Sequence, residues 1–342
     1  MSISPYLSKK IKILSFVAIY FVLIIHTAMP QVKEFLYFDF FQRFCGDYIN
    51  RLYLALFMSF SGYLFFQNIP TPSKEIWLKK YMSRFKSLFI PYIIWNTLFV
   101  VQMAVLQYNP FTSSWISTGI STFISSDSIL HSIWRIFTHP ANLPLWFVRE
   151  LMIMVVFTPL IYYIIGRNYY IIILLVLFML GWKSQFAFCL LFFVIGSIFA
   201  IKKVNLEYKL KMHWICILVL LSLIIGILLT LNGPITQLNF YLSVVPLLAL
   251  WFGYDLLHDQ GFRFGVLDSI LPYTFFIYVF HEPSINIFKK ILVIIGNKSE
   301  ISYFITYVFS PVLMVLLSYV VGYIWAKLTP KIYSISVGNR KH

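Results

Sequence analysis

About ten apolar segments, separated by short polar connections, run through this chain of 342 residues. An α-helix needs about 17–25 mostly apolar residues to cross the hydrocarbon core of a bilayer. Only 11% of the residues are charged and 60% are hydrophobic, which leaves too little polar surface for a soluble particle of this size. We therefore predict an all-α membrane protein, a polytopic bundle of about ten transmembrane helices, and exclude a soluble enzyme, a disordered chain and a disulfide scaffold. The predicted spans are 11–29, 49–67, 85–107, 145–165, 169–182, 186–201, 213–231, 238–257, 270–292 and 302–326.

The basic residues indicate the orientation of these spans. Lys and Arg total 27 against 12 Asp and Glu, and about two thirds of the basic residues fall on the cytoplasmic side if both termini are cytoplasmic. This predicts a multi-pass protein of the cell inner membrane whose basic surface meets anionic membrane lipid, and no nucleic acid. We expect a single integral-membrane domain over residues 1–342, with no appended soluble domain and a first span that is retained. The scattered Cys45, Cys189 and Cys216 form neither a disulfide framework nor a metal-binding pair.

Ionisable side chains within the predicted spans are the first candidates for function, because a charge in hydrocarbon costs at least ~2.5–3.5 kcal/mol. His26 lies in the outer half of the first span, and an imidazole exchanges a proton near neutral pH, as a general base must. The alternative is a histidine that only hydrogen-bonds a neighbouring helix. His281 and Glu282 lie near the middle of the ninth span, where Pro283 also frees a backbone carbonyl. For this pair we favour function.

Two further charged pairs are open to two interpretations. Arg84 and Lys86, at the inner start of the third span, would suit the phosphates of a nucleotide-like donor, or would simply anchor the span at the cytoplasmic face. Arg149 and Glu150 are neighbours in the fourth span. Adjacent helical residues point about 100° apart, so we expect that these two do not simply pair with each other and that each meets another helix or a polar cavity. An interfacial anchor beside Trp146 is the equal alternative.

One mechanism joins these residues. A donor phosphate would bind among the inner basic residues, and His26 would activate an acceptor hydroxyl further out in the membrane. The carboxylates and Arg149 would orient the imidazole or the acceptor.

Short motifs follow one another along the chain. They are His26 in span 1, Leu56–Leu64 downstream of Arg51, Arg84–Ser87 ahead of Pro91, Leu145–Glu150, Phe192–Gly196 and Phe276–Pro283. In this order and at these span positions they resemble the motifs of the bacterial integral-membrane acyltransferase family 3, whose members mostly O-acylate cell-surface carbohydrates. One position departs from the family pattern. Ser15 stands where the family carries an Arg about three helical turns before its His, and Lys12 on the same helix side is a possible substitute.

The resemblance implies acyl-CoA, most often acetyl-CoA, as a cytoplasmic donor substrate with no bound cofactor. It implies a sugar hydroxyl of a surface polysaccharide or lipid-linked glycan as acceptor, a catalytic role for His26 and donor binding by Arg84. The full assignment is His26, Glu150, His281 and Glu282 for catalysis; Lys12, Arg84 and Lys86 for the donor; Arg51, Ser61, Tyr63 and Arg149 for the acceptor; and no metal. The alternatives are a glycan or lipid exporter without acyl transfer and a sensor or scaffold that has lost catalysis.

Overall fold

The computed structural model describes residues 3–29, 34–49, 52–69, 73–110, 113, 128, 134–135, 138–181, 183–232, 242 and 244–340. Within these ranges the chain is helical and contains no β-strand. Its α-helices, numbered here in chain order, are α1 Pro5–His26, α2 Leu36–Arg43, α3 Leu52–Phe66, α4 Lys74–Arg84, α5 Ile90–Tyr108, α6 Trp146–Val156, α7 Thr158–Gly166, α8 Tyr170–Gly181, α9 Gln185–Ile201, α10 Met212–Leu231, α11 Val244–Asp259, α12 Gly265–Ile270, α13 Thr274–Phe280, α14 Ser284–Ile295, α15 Glu300–Leu328 and α16 Pro330–Ser336. Short π-helical turns, Phe44–Tyr48 and Phe85–Phe89, and 3-10 turns, Leu143–Leu145 and Leu271–Tyr273, join some of them.

Several helices are long and apolar enough to cross a membrane. Three runs within the described ranges meet both conditions, namely Lys74–Tyr108, Met212–Leu231 and Glu300–Leu328. The bent pair Leu143–Val156 and Thr158–Gly166 makes a fourth if the two helices form one span. The chain is therefore an all-helical membrane protein, as predicted. The count of ten spans stays a prediction, since the other apolar helices are shorter.

Helix α1 organises the region around the candidate site. The Ser4 hydroxyl caps it by accepting a hydrogen bond from the Leu7 amide at 3.1 Å, and Pro5 occupies its first turn, where a missing N–H costs nothing. The helix packs against α3, α13 and α15, and Ala18 and Leu23 are fully buried. It ends at His26, which places that imidazole at the end of the helix.

A buried ion pair ties the start of α1 to α11. Lys10 is fully buried, and its Nζ lies 2.7 and 2.8 Å from the two carboxylate oxygens of Asp255. The ammonium also lies 3.8 Å from the ring centroid of Trp251, and the Tyr6 hydroxyl donates to the same carboxylate. The contacts with Trp251 and Tyr6 help to offset the free-energy cost of removing the two charges from water. The attraction within a buried ion pair alone often does not offset that cost. They fix the register of α1 against α11.

Close packing of α3 on α9 explains two of the sequence motifs. A Cβ added to Gly62 would collide with the Phe193 carbonyl, and one added to Gly196 would collide with the backbone of Ser59. The two backbones can approach this closely only because small residues face each other, as is common between membrane helices. The glycines of both motifs therefore serve helix packing.

The predicted ninth span is not one helix. It breaks at His281, Glu282 and Pro283, between α13 and α14. Pro283 has no N–H to donate to the carbonyl four residues earlier, which is that of Val279. Instead, the Asn142 side-chain amide donates to the Val279 carbonyl at 3.0 Å. The break exposes polar backbone inside the protein and presents the two ionisable side chains from a turn.

The predicted fourth span is also divided. Helices α6 and α7 are bent by 57° at Phe157. Pro159 follows at the start of α7 and cannot donate to the Val155 carbonyl, which accepts instead from the Thr158 hydroxyl at 2.6 Å. The predicted single helix over 145–165 is therefore wrong in its continuity.

Candidate active site

His26 and Glu282 lie at hydrogen-bond distance from each other at the centre of the candidate site. His26 closes α1, while Glu282 lies in the break between α13 and α14, and the His26 Nδ1 lies 2.8 Å from the Glu282 Oε1. Their side chains are 18% and 14% exposed, so both face the protein interior. With its Nδ1–H directed at the carboxylate, His26 keeps Nε2 as the nitrogen that can accept a proton. In catalytic triads, likewise, one ring nitrogen of the histidine donates to a carboxylate and the other accepts the proton of the nucleophile.

His281 lies against this pair. Its ring centroid is 4.8 Å from that of His26, with the rings close to edge-on. His281 is fully buried, and its Nδ1–H donates to the Tyr278 carbonyl at 2.6 Å. The Nε2 of this ring is buried and has no hydrogen-bond partner within the described part of the chain. A buried nitrogen without a partner beside the His26–Glu282 pair is uncommon in proteins and calls for a functional explanation.

Two residues that the sequence analysis missed hold the dyad in place. The Asn286 side-chain amide donates to the Glu282 Oε2 at 2.8 Å. The Lys289 ammonium donates to the backbone carbonyls of His26 at 2.8 Å and Ala28 at 3.2 Å, which fixes the end of α1. In the sequence, positions 282, 286 and 289 have the i, i+4, i+7 spacing that marks one helix face, although Glu282 lies two residues before the start of α14. That spacing was the signal in the sequence.

A cavity of about 860 Å³ runs along α1 towards the imidazoles. At the end of the cavity nearer the C-terminus of α1, the lining includes Val22 and Tyr278. Val22 precedes His26, and Tyr278 precedes His281, by about one helical turn. Its polar and charged lining includes Lys9, Lys12, Ser15, Ser61, Asp268 and Arg340. The cavity thus brings together two of the predicted residues, Lys12 and Ser61. It is also lined by Ser15, which stands where the family pattern has an Arg.

Arg84, Lys86, Tyr63 and Arg149 are not among the residues that line this cavity. The Arg84 guanidinium stacks 5.6 Å from the Phe65 ring centroid, and Lys86 is exposed. Tyr63 lines a separate apolar cavity of about 880 Å³. Arg51 lies outside the described residues.

Arg149 and Glu150 pair with each other, so the expectation that they would not is wrong. The Arg149 Nη2 lies 2.6 Å from the Glu150 Oε1, and Arg149 also donates to the Thr138 carbonyl. The long arginine stem spans the angle between neighbouring positions on the helix, which the argument from backbone direction ignored. Their described contacts do not include the imidazoles or Glu282.

The three side chains of the site also form a potential donor set for a metal ion. One ligand atom each from His26, His281 and Glu282 lie within 4.8 Å of one another. Two imidazoles and a carboxylate are a ligand set that zinc uses in catalytic sites. Here, however, the Nδ1 of His26 is already engaged by Glu282 at hydrogen-bond distance, which is the arrangement of a base and its orienting carboxylate.

Comparison with known proteins shows the family of this chain. The sequence profile of the family described as "Acyltransferase domain" matches residues 9–323. The succinoglycan biosynthesis protein ExoH of Rhizobium meliloti (strain 1021) is 25% identical over 142 residues, which cover 40% of this chain and 37% of that protein. This chain therefore spans well under half the length of that relative. No solved structure matches this chain. Since the family profile covers nearly the whole chain, from the start of α1 into α15, the chain belongs to the acyltransferase domain family, as its motifs predict.

Proposed function

We propose that this protein transfers an acyl group, most simply acetyl, from acyl-CoA to a sugar hydroxyl of a surface polysaccharide or lipid-linked glycan. The observation that carries the proposal is the 2.8 Å contact between His26 and Glu282 beside a buried, unsatisfied His281 nitrogen. The family supports acyl transfer, and the name of the relative links such a protein to a polysaccharide.

The chemistry follows from the two ring nitrogens of His26. Glu282 fixes the Nδ1–H, so Nε2 removes the proton of the acceptor hydroxyl as its oxygen attacks the thioester carbonyl. The new C–O bond forms as the C–S bond breaks, and the proton taken by His26 passes to the leaving thiolate, which departs as CoA. The free Nε2 of His281 accepts a hydrogen bond from the acceptor and orients it.

The proposed topology has ten spans, both termini in the cytoplasm, and the inner membrane as location. Helix α1 is 22 residues long, or about 33 Å, which is the length needed for its first turn and His26 to lie near opposite faces of the bilayer in this topology. The cavity lined by Pro5 at one end and Val22 at the other would admit a donor from the cytoplasm. The acceptor glycan would reach His26 from the other side.

The remaining residues take secondary roles in this proposal. Lys12, Arg84 and Lys86 attract the donor phosphates to the cytoplasmic face. Ser61 lines the donor cavity, and Arg51, Tyr63 and Arg149 serve the acceptor. Glu150 neutralises Arg149 and so acts on catalysis only through it.

Transfer is tested in everted membrane vesicles that contain the protein and receive radiolabelled acetyl-CoA. We expect label in the glycan fraction together with stoichiometric release of CoA, measured with a thiol reagent. His213→Ala, which removes an exposed imidazole at the start of α10, is the matched control and should behave as the wild type. Glycan movement across the vesicle membrane without CoA release would instead establish the exporter.

A further inference from the structure

The segment after α15 is built into the core of the protein. Tyr333 of α16 is buried against Tyr273 and Phe276, and the Trp95 indole N–H donates to the Ser336 carbonyl at 2.9 Å. Aromatic contacts and a satisfied buried carbonyl fix the position of a short helix that could not be stable alone. The residues that follow α16 therefore leave from a defined place.

Gly338 directs the chain towards the cavity. Its φ of +74° lies in the left-handed region that favours glycine, and a Cβ there would sit 2.6 Å from the Ser87 carbonyl oxygen. The backbone thus passes directly against the π-helical turn that follows Arg84. Two residues later, Arg340 extends its side chain into the wall of the cavity.

The described contacts of the Arg340 guanidinium are with uncharged groups. Its guanidinium carbon lies 3.6 Å from the Phe275 ring centroid, and its Nη1 donates to the Val337 carbonyl at 2.5 Å. No carboxylate of the described residues lies within ion-pair distance of it. Asp268, the carboxylate in the cavity lining, is already paired with Lys9 at 3.1 Å.

The electrostatics of this position favour a bound anion. Burial, and secondly repulsion from Arg84, lower the pKa of Arg340 to about 9. The cavity lining adds Lys12, whose side chain is also free of a carboxylate within the described ranges. A half-buried guanidinium with no carboxylate partner among the described residues is unfavourable, and its planar fork matches the geometry of a phosphate.

We infer that Arg340 binds a phosphate group of the acyl donor inside the cavity along α1. This inference rests on the proposed function, because it takes the phosphate from a coenzyme A thioester. A phospholipid headgroup offers the same chemistry from the bilayer, and the experiment separates the two sources. Arg340 would hold the nucleotide end while the pantetheine arm extends along α1 towards Val22 and His26.

The test measures the Kd of CoA for the full chain in phosphatidylcholine nanodiscs. Arg340→Gln should weaken CoA binding by about 10- to 100-fold, the range for a charge-assisted hydrogen bond to phosphate. Arg340→Met keeps an unbranched side chain beside Phe275 and should fold as the wild type does. It should show the same loss of CoA affinity, which keeps the test valid even if the glutamine variant folds poorly. Arg263→Gln, which removes an exposed arginine outside the cavity, should bind as the wild type.

A second readout uses the substrate. Arg340→Met should raise the KM for acetyl-CoA by a similar factor and leave that for S-acetylpantetheine, which has no phosphate, unchanged. Equal CoA affinity in the wild type and both Arg340 variants would overturn the inference alone, whereas a wild type that binds no CoA would overturn the proposed donor as well. In phosphatidylglycerol nanodiscs, loss of retained lipid from the variants with unchanged CoA binding would assign the site to the headgroup and likewise overturn it.

Discussion

Glu282 holds the Nδ1 of His26 at 2.8 Å, across the junction between the end of α1 and the break in the predicted ninth span. His26 is the last residue of α1, and Glu282 lies in the turn between α13 and α14. The two residues are therefore far apart in the sequence and both lie outside helix interiors. Glu282 makes this contact from the turn that interrupts the predicted ninth span next to Pro283. The break is therefore part of how the site is made.

Replacing Glu282 by Gln should lower kcat for acyl transfer by about 100- to 10,000-fold, since the amide no longer stabilises the protonated imidazole. The KM for acetyl-CoA should change little, because Glu282 does not line the donor cavity. Steady-state kinetics with acetyl-CoA measure both constants. Glu75→Gln, at an exposed position in α4, is the control and should leave both unchanged. A glutamine variant of Glu282 with normal kcat would remove the carboxylate from the mechanism.

Zinc should inhibit the enzyme, and chelation should not. His26, His281 and Glu282 can converge on an added ion, which would occupy the nitrogen and the carboxylate that the reaction needs. Activity measured after dialysis against EDTA should equal that of the untreated protein, and micromolar Zn²⁺ should suppress it. The variant His281→Ala, with one ligand fewer, should be less sensitive than His213→Ala. Loss of activity on chelation, restored by a divalent ion, would make the cluster a metal centre instead.

Gly338→Ala should weaken donor binding as well as stability. A positive φ costs alanine about 1–2 kcal/mol, and the added methyl would also press on Ser87 and displace the Arg340 side chain. Gly261 has a φ of +77° but nothing within 4 Å of an added Cβ, so Gly261→Ala is the matched control. Both variants should lose thermal stability, Gly338→Ala more than Gly261→Ala because its methyl group also meets Ser87, and Gly338→Ala alone should raise the KM for acetyl-CoA. Equal KM values in the two variants would contradict the account of this segment.

Asp255→Asn should destabilise the fold by about 3–5 kcal/mol, because it leaves Lys10 buried without its counter-ion. The comparison is Asp259→Asn on the same helix, whose 2.5 Å pair with Lys209 is largely exposed. That change should cost less than about 1 kcal/mol. Unfolding in SDS, followed by helical circular dichroism, measures the difference. Similar losses in both variants would mean that the Lys10 pair contributes no more than a surface contact.

The sequence alone selected three side chains of the candidate site, because an ionisable group in hydrocarbon is costly and so stands out. His26, His281 and Glu282 were selected in this way, and the structure brings them together. The all-helical class followed equally directly from the apolar segments. Both inferences depend on composition and local position, which a single sequence contains.

What the sequence could not supply was contact between distant segments. Arg340 appeared only as one of many basic residues, since its place in the cavity depends on the turn at Gly338 and the packing of α16. Pro283 was recognised as freeing a carbonyl, but Asn142, which satisfies that carbonyl, lies more than a hundred positions away. The mutual pairing of Arg149 and Glu150 depends on side-chain conformation, which backbone direction does not determine.

The most direct test of the central claim is single-turnover acetyl transfer by His26→Ala, with CoA binding measured on the same purified sample. The account predicts that the variant folds, binds CoA with the affinity of the wild type, and transfers acetyl about 100- to 10,000-fold more slowly. Transfer at the wild-type rate by a folded, CoA-binding His26→Ala protein would contradict it.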